Sequence, residues 1–199
     1  ELTTSFPEND CKIHCLVWNI TEKTFKKINL LRSNIYELQQ YLHANNILHA
    51  IAHPLFAINN SLTIDIFEKL LLLFKRFEGF NGSRQSRANL LARTIFENLS
   101  PELITQLANK HGIEPVGPKP WEKWTTGGSD DHSGLYIAQA YTETHYSPTI
   151  FDFFDHLHKG EHKTGGRNGT SLRFAHNLYN IAFNYYKTHF LEDGSRKQN

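Results

Sequence analysis

Asp130 and His132 stand two positions apart in the stretch Gly127-Gly128-Ser129-Asp130-Asp131-His132-Ser133-Gly134. In an extended strand, side chains at i and i+2 leave the same face. One carboxylate oxygen and one imidazole nitrogen then converge, a donor mix that suits Zn, Mn or Fe. The two glycines let the backbone approach whatever sits there. A polar loop with a satisfied histidine accounts for the same residues, so the reading turns on partners elsewhere in the chain.

Three partners are available. Glu1 and His14 fall in the two arms of a predicted hairpin and could face each other across it. His53 ends a short apolar segment, where a polar tip has little reason to sit without a partner, and Pro54 fixes the chain's exit. Glu1, His14, His53, Asp130 and His132 together offer two carboxylates and three imidazoles. Such a set could hold two metals sharing a carboxylate, activate a water and neutralise a phosphate. Glu78 and Asn81 end another predicted strand and are expected to orient a histidine ligand or contact substrate, with a plain turn as the alternative. Asp131 lies off the face of its neighbours and reads as a supporting or loop carboxylate. Arg84 could reach a phosphate. Arg167, in the glycine-rich basic loop 160–169 ahead of a predicted helix, could help hold an anion.

The elements that must position these groups follow from periodicity and punctuation. Residues 1–19 read as a hairpin around Pro7-Glu8-Asn9-Asp10. Thr21 caps one helix over 22–44, with Phe25, Ile28, Leu31, Ile35, Leu38 and Leu42 at helical spacing. A buried strand over 47–52 delivers His53. Thr63 caps the next helix, 77–82 is a strand running into glycine, and helices follow at 85–98 and 101–111, the second opening on Ser100-Pro101 and stopped by Gly112. A helix over 149–158 and a final aromatic-rich helix over 170–190 complete the chain. Strands alternating with helices imply an α/β fold with parallel strands, and His53, Glu78/Asn81 and Asp130/His132 all fall at strand ends, where parallel folds carry their sites.

Composition narrows the class. The chain has 199 residues, 39% hydrophobic and 21% charged, the profile of an ordinary globular domain. A net charge of +1 gives no electrostatic case for nucleic acid or an acidic membrane. No apolar run is long enough to span a bilayer. Cys11 and Cys15 lack the second pair that a zinc ribbon needs; they read as reduced packing residues on one strand face, with His14 on the other, and imply a cytoplasmic location.

In this order the segments Glu1-Leu-Thr-Thr, Lys12-Ile-His14-Cys-Leu, His53-Pro-Leu-Phe, Phe77-Glu-Gly-Phe-Asn-Gly82 and Gly128-Ser-Asp-Asp-His132 resemble the PHP (polymerase and histidinol phosphatase) superfamily of metal-dependent phosphoesterases. The likeness is greatest to bacterial modules found alone or fused to glycosyltransferases. The resemblance implies a distorted, seven-stranded β/α barrel with up to three divalent ions at the carboxyl ends of its strands. Glu1 would be the bridging carboxylate, His14 and His53 would complete one metal position with it, Asp130 would serve the first metal and His132 the third. The family's opening His-x-His pair is absent and would lie ahead of Glu1. The chain, which has no methionine, is therefore expected to be part of something longer, with the first barrel strands missing. The implied organisation is a PHP-like metal-binding domain over 1–145, a helical extension over 146–190 and a disordered tail over 191–199. The implied activity is hydrolysis of a small phosphorylated substrate, a phosphomonoester or short phosphodiester such as a short oligonucleotide. The alternative is a non-catalytic module that regulates or scaffolds a glycosyltransferase-type assembly.

Overall fold

The computed structural model describes residues 1–192; the part of the expected tail over 193–199 lies outside the described residues. β1 (Leu2–Phe6) and β2 (Cys11–Val17) form the expected antiparallel hairpin, in the register Thr3 to His14. α1 (Glu22–Leu31) and α2 (Ile35–Ala44) lead to β3 (His49–Ile51), which pairs antiparallel with β2. After α3 (Ile64–Leu73), β4 (Arg76–Asn81) adds parallel to β3. After α4 (Ser86–Glu97) and α5 (Pro101–His111), β5 (Trp124–Gly128) adds parallel to β4. β6 (Ala140–Thr144) and β7 (His162–Gly166) form a separate antiparallel pair around α6 (Ile150–Lys159), and α7 (Ser171–Tyr186) runs into a π-helical turn, Lys187–Glu192.

The result is a mixed α/β fold with an open five-stranded sheet, β1-β2-β3-β4-β5, and no closed barrel among the described residues. The α/β class with parallel strands is as expected, whereas the seven-stranded β/α barrel implied by the resemblance is not seen among the described residues. Among the described residues β1 and β5 are the two ends of the sheet, and only β3, β4 and β5 run parallel. β6 and β7 pair with each other, joining residues on both sides of position 145, and Thr142 Oγ1 accepts from the Gly127 amide at 2.8 Å to tie them to β5.

The core explains why these segments fold as they do. Phe6, Cys11, Ile13 and Cys15 alternate inward from the hairpin, as period 2 requires, and meet Ile28, Leu38, Leu42, Leu70, Leu72, Phe74 and Phe77. Both cysteines are free and fully buried, the packing role expected of them. The side chains of Thr63, Ser100 and Thr149 accept amide hydrogens of the first turns of α3, α5 and α6, and Gly112 ends α5 at φ +64°.

Two expected elements change. The helix over 22–44 breaks at residues 32–34, where Asn34 turns extended and its side chain accepts from the Tyr36 and Glu37 amides, starting a new helix. The glycine-rich loop 160–169 instead supplies β7. No helix among the described residues is long and apolar enough to cross a membrane. α7 buries Arg173 and Asn177 and turns Leu172, Phe174, Leu178, Tyr179 and Phe183 outward.

Candidate metal centre

The carboxyl ends of β3, β4 and β5 converge on one face, with the start of β1 and the middle of β2 beside them. There Glu1 Oε1 lies 2.9 Å from His14 Nδ1, and His14 Nδ1 lies 3.2 Å from His53 Nε2. One potential ligand atom from each of the three falls within 4.8 Å of the others. Metal–ligand bonds of about 2.1 Å place neighbouring ligand atoms roughly 3.0–3.4 Å apart, close to the two separations from His14, so this donor set could hold a small divalent cation. The strand geometry that brings it together is the one expected: the hairpin sets Glu1 against His14, and β3 aims His53 at both.

Electrostatics prepare the donors. Burial pushes the His53 imidazole below its usual range, aided by the Arg84 guanidinium and opposed by the Asp130 and Glu1 carboxylates. A neutral imidazole is the form that binds metal. The hydrogen bond from His14 is the largest influence on Glu1 and holds its carboxyl below the usual range.

Asp130 and His132 are placed differently from the expectation. β5 ends at Gly128, and Asp130 has φ +46°, so the two residues do not lie in a strand and do not share a strand face. Ser83 Oγ donates to the Ser129 and Asp130 carbonyls and draws the chain off the sheet. The pair still meets, His132 Nε2 lying 3.4 Å from Asp130 Oδ1, with His132 more than half exposed. The other Asp130 oxygen takes a hydrogen bond from Asn81 Nδ2 at 3.1 Å and lies 3.3 Å from Arg84 Nη2. Asp130 and His132 therefore form a second small group beside the Glu1–His14–His53 cluster, which does not include them.

Glu78 and Asn81 hold the two groups together. In a regular strand, residues three apart point to opposite faces. The register of β4 against β5 shifts between Glu78 and Phe80, a bulge at Gly79 that brings Glu78 and Asn81 to the same side. Glu78 Oε2 accepts from Asn81 Nδ2 at 2.7 Å and from the His53 backbone amide at 2.9 Å. That second bond fixes His53 in a left-handed conformation of φ +28°, costly for a non-glycine residue. Gly128 is required by close approach: a Cβ there would lie 2.7 Å from Glu78 Oε1. Burial raises the Glu78 carboxyl to about 7, against the pull of its two hydrogen bonds.

The remaining expected residues fall around this frame. Asp131 closes its own loop, accepting from the Ser133 amide and hydroxyl and the Tyr136 amide. Arg84 lies over the Phe56 ring at 3.6 Å, and its buried Nε makes no hydrogen bond among the described residues. Arg167 is exposed; its backbone amide donates to the Gln139 carbonyl and its carbonyl accepts from Arg173. A narrow cavity of about 80 Å³ opens beside His53, lined by Phe56, Glu78, Asn81, Arg84 and Ala92.

Sequence reasoning missed Ser83, Asn177 and Asn180. Asn177 accepts from the His132 amide and donates to Ser83 Oγ, and Asn180 donates to the His132 carbonyl. The asparagines Asn177 and Asn180, three positions apart on an aromatic-rich helix, were the available signal. A second trio, Asp65, Glu68 and His111, also brings possible ligand atoms together, but the Lys110 ammonium lies 2.7 Å from both carboxylates and fills that role.

Comparison of the chain with protein-family models, with curated proteins and with solved structures gives no match.

Proposed function

We propose that the protein is a metal-dependent phosphoesterase acting on a small phosphomonoester or short phosphodiester. The observation that carries the reading is the Glu1–His14–His53 cluster, its ligand atoms within 4.8 Å of one another, set beside the Asp130–Arg84 pair at the carboxyl ends of parallel strands. Glu1, His14 and His53 would hold a Zn, Mn or Fe ion, with Asp130 and His132 as donors for a neighbouring one. A bound divalent ion supplies Lewis acidity toward the phosphoryl group and lowers the pKa of water.

The chain's own residues do the rest. Arg84, whose Nε has no hydrogen-bond partner among the described residues, would face a phosphate's charge with a planar donor fork. Asn81 fixes the orientation of Asp130, and Glu78 fixes the backbone of His53. The narrow cavity next to His53 favours a small group on the substrate.

A second reading is a non-catalytic module that binds one metal and scaffolds a glycosyltransferase-type assembly. It is favoured by the separation of Asp130 and His132 from the three-residue cluster and by the outward aromatic face of α7. Hydrolysis of p-nitrophenyl phosphate with Zn, Mn or Fe decides between them. Metal-dependent turnover lost in Asp130→Asn is the expected result; metal binding without turnover supports the module and refutes the enzyme.

A further inference from the structure

The amino ends of β3, β4 and β5 carry a different cleft, at the opposite end of the sheet from the candidate metal centre. Its volume is about 440 Å³, and His49, Lys75, Arg76, Lys119, Trp124 and His158 are among its lining residues. The cations are pinned in place. Lys75 Nζ donates to the Lys119 carbonyl at 2.9 Å, and Arg76 donates to the carbonyls of Leu157 at 3.1 Å and His158 at 3.0 Å. Both lie about one ring-contact distance from Trp124, 5.0 and 4.8 Å from its ring centroid.

Carbonyl acceptors satisfy these donors but leave their charge uncompensated. Glu122 is the carboxylate in the lining, and it is 3.1 Å from Lys119. No carboxylate pairs with Lys75 or Arg76 among the described residues. Burial lowers the Arg76 guanidinium to about 10, and burial with the neighbouring cations Arg76 and Lys119 lowers the Lys75 ammonium, against the pull of Glu122. Half-buried cations without a counter-charge are a cost that a bound anion relieves.

His49 adds a second, independent signal. It is 8% exposed, and its Nδ1 lies 2.6 Å from the Ile47 carbonyl. A carbonyl only accepts, so Nδ1 carries the hydrogen, and the neutral ring leaves Nε2 as an acceptor. Nε2 has no partner among the described residues, and burial keeps the ring neutral down to about pH 4. The cleft thus joins fixed positive charge, one imidazole acceptor and an indole. A net charge of +1 over the whole chain gives no electrostatic case for a nucleic acid, and the cleft's volume suits a small ligand.

We propose that this cleft binds a small phosphorylated molecule that also carries hydroxyl or N–H donors, a sugar phosphate or a nucleotide. The phosphate meets Lys75, Arg76 and Lys119, and a donor meets His49 Nε2. This site is independent of the candidate metal centre and does not rest on the phosphoesterase reading.

The test follows the indole N–H resonance of Trp124, one of three tryptophans, assigned through Trp124→Phe. Titrations use AMP, glucose 6-phosphate and inorganic phosphate in an Arg84→Met background, so that phosphate binding at the other end of the sheet is not read. AMP or glucose 6-phosphate should shift Trp124 saturably and at least about fivefold more tightly than inorganic phosphate; the tighter of the two separates nucleotide from sugar. Lys119→Glu, on the exposed rim, should weaken binding about tenfold or more, and Lys75→Gln likewise where its unfolding curve matches the parent. Absence of a saturable Trp124 shift, equal affinity for inorganic phosphate, or unchanged binding in Lys119→Glu would overturn the proposal.

Discussion

Glu78→Gln tests the buried polar frame behind the candidate centre. Glu78 is 5% exposed, and its carboxyl is raised from 4.5 to about 7, chiefly by burial. A raised carboxyl means that the folded protein holds the proton more tightly than the unfolded chain does. Between pH 4.5 and 7 the folded state therefore binds more protons, and stability falls as pH rises through that window. The shift converts to roughly 3 kcal/mol, with little solvent screening at so low an exposure. Glutamine keeps an oxygen to accept from the His53 amide and Asn81 Nδ2 but does not titrate. In protein freed of metal by a chelator, urea unfolding should give similar stabilities for the two proteins at pH 4.5. By pH 7.5 Glu78→Gln should be the more stable by about 3 kcal/mol. A stability difference that stays flat with pH, or grows in favour of the parent, would refute the burial argument.

Two further substitutions probe binding and packing. Arg84→Met should raise KM for a phosphomonoester about tenfold or more, with a smaller change in kcat, because the guanidinium contacts Asp130 and Phe56 but reaches no other internal acceptor for its Nε. Steady-state kinetics checks it. Gly160→Ala should cost about 2 kcal/mol or more in urea unfolding, since φ there is +75° and an added Cβ would lie 2.5 Å from the Trp124 ring.

Much of the frame was legible because local chemistry and tertiary packing agree. The hairpin alternation at Cys11, Ile13 and Cys15, the caps at Thr63, Ser100 and Thr149, and the stop at Gly112 each depend on neighbouring residues. The break at residues 32–34 was hidden because Ile28, Leu31, Ile35 and Leu38 keep helical spacing across it. Asn34 and Glu37, which hydrogen-bond each other at 3.0 Å, were the overlooked start signal. β7 was read as a loop because its two glycines hide a strand that exists only through pairing with β6. Sheet closure was the least legible feature, since an open and a closed sheet can share the same local strand patterns. In the site, Glu1 and His14 were visible as chemistry across a hairpin and His53 as chemistry at a strand end. The left-handed turn at Asp130 was not, because Ser83 and Asn177, 47 and 47 positions away from Asp130 on either side, set it through long-range hydrogen bonds.

Metal binding by the Glu1–His14–His53 cluster is the claim on which the functional reading stands. Chelator-treated protein titrated with Zn or Mn by calorimetry should take up metal at a site that His53→Gln weakens by more than about a hundredfold, whereas His111→Gln, in the trio already filled by Lys110, should leave that site unchanged. Equal metal uptake by the parent and His53→Gln, or loss of uptake in His111→Gln instead, would contradict the account.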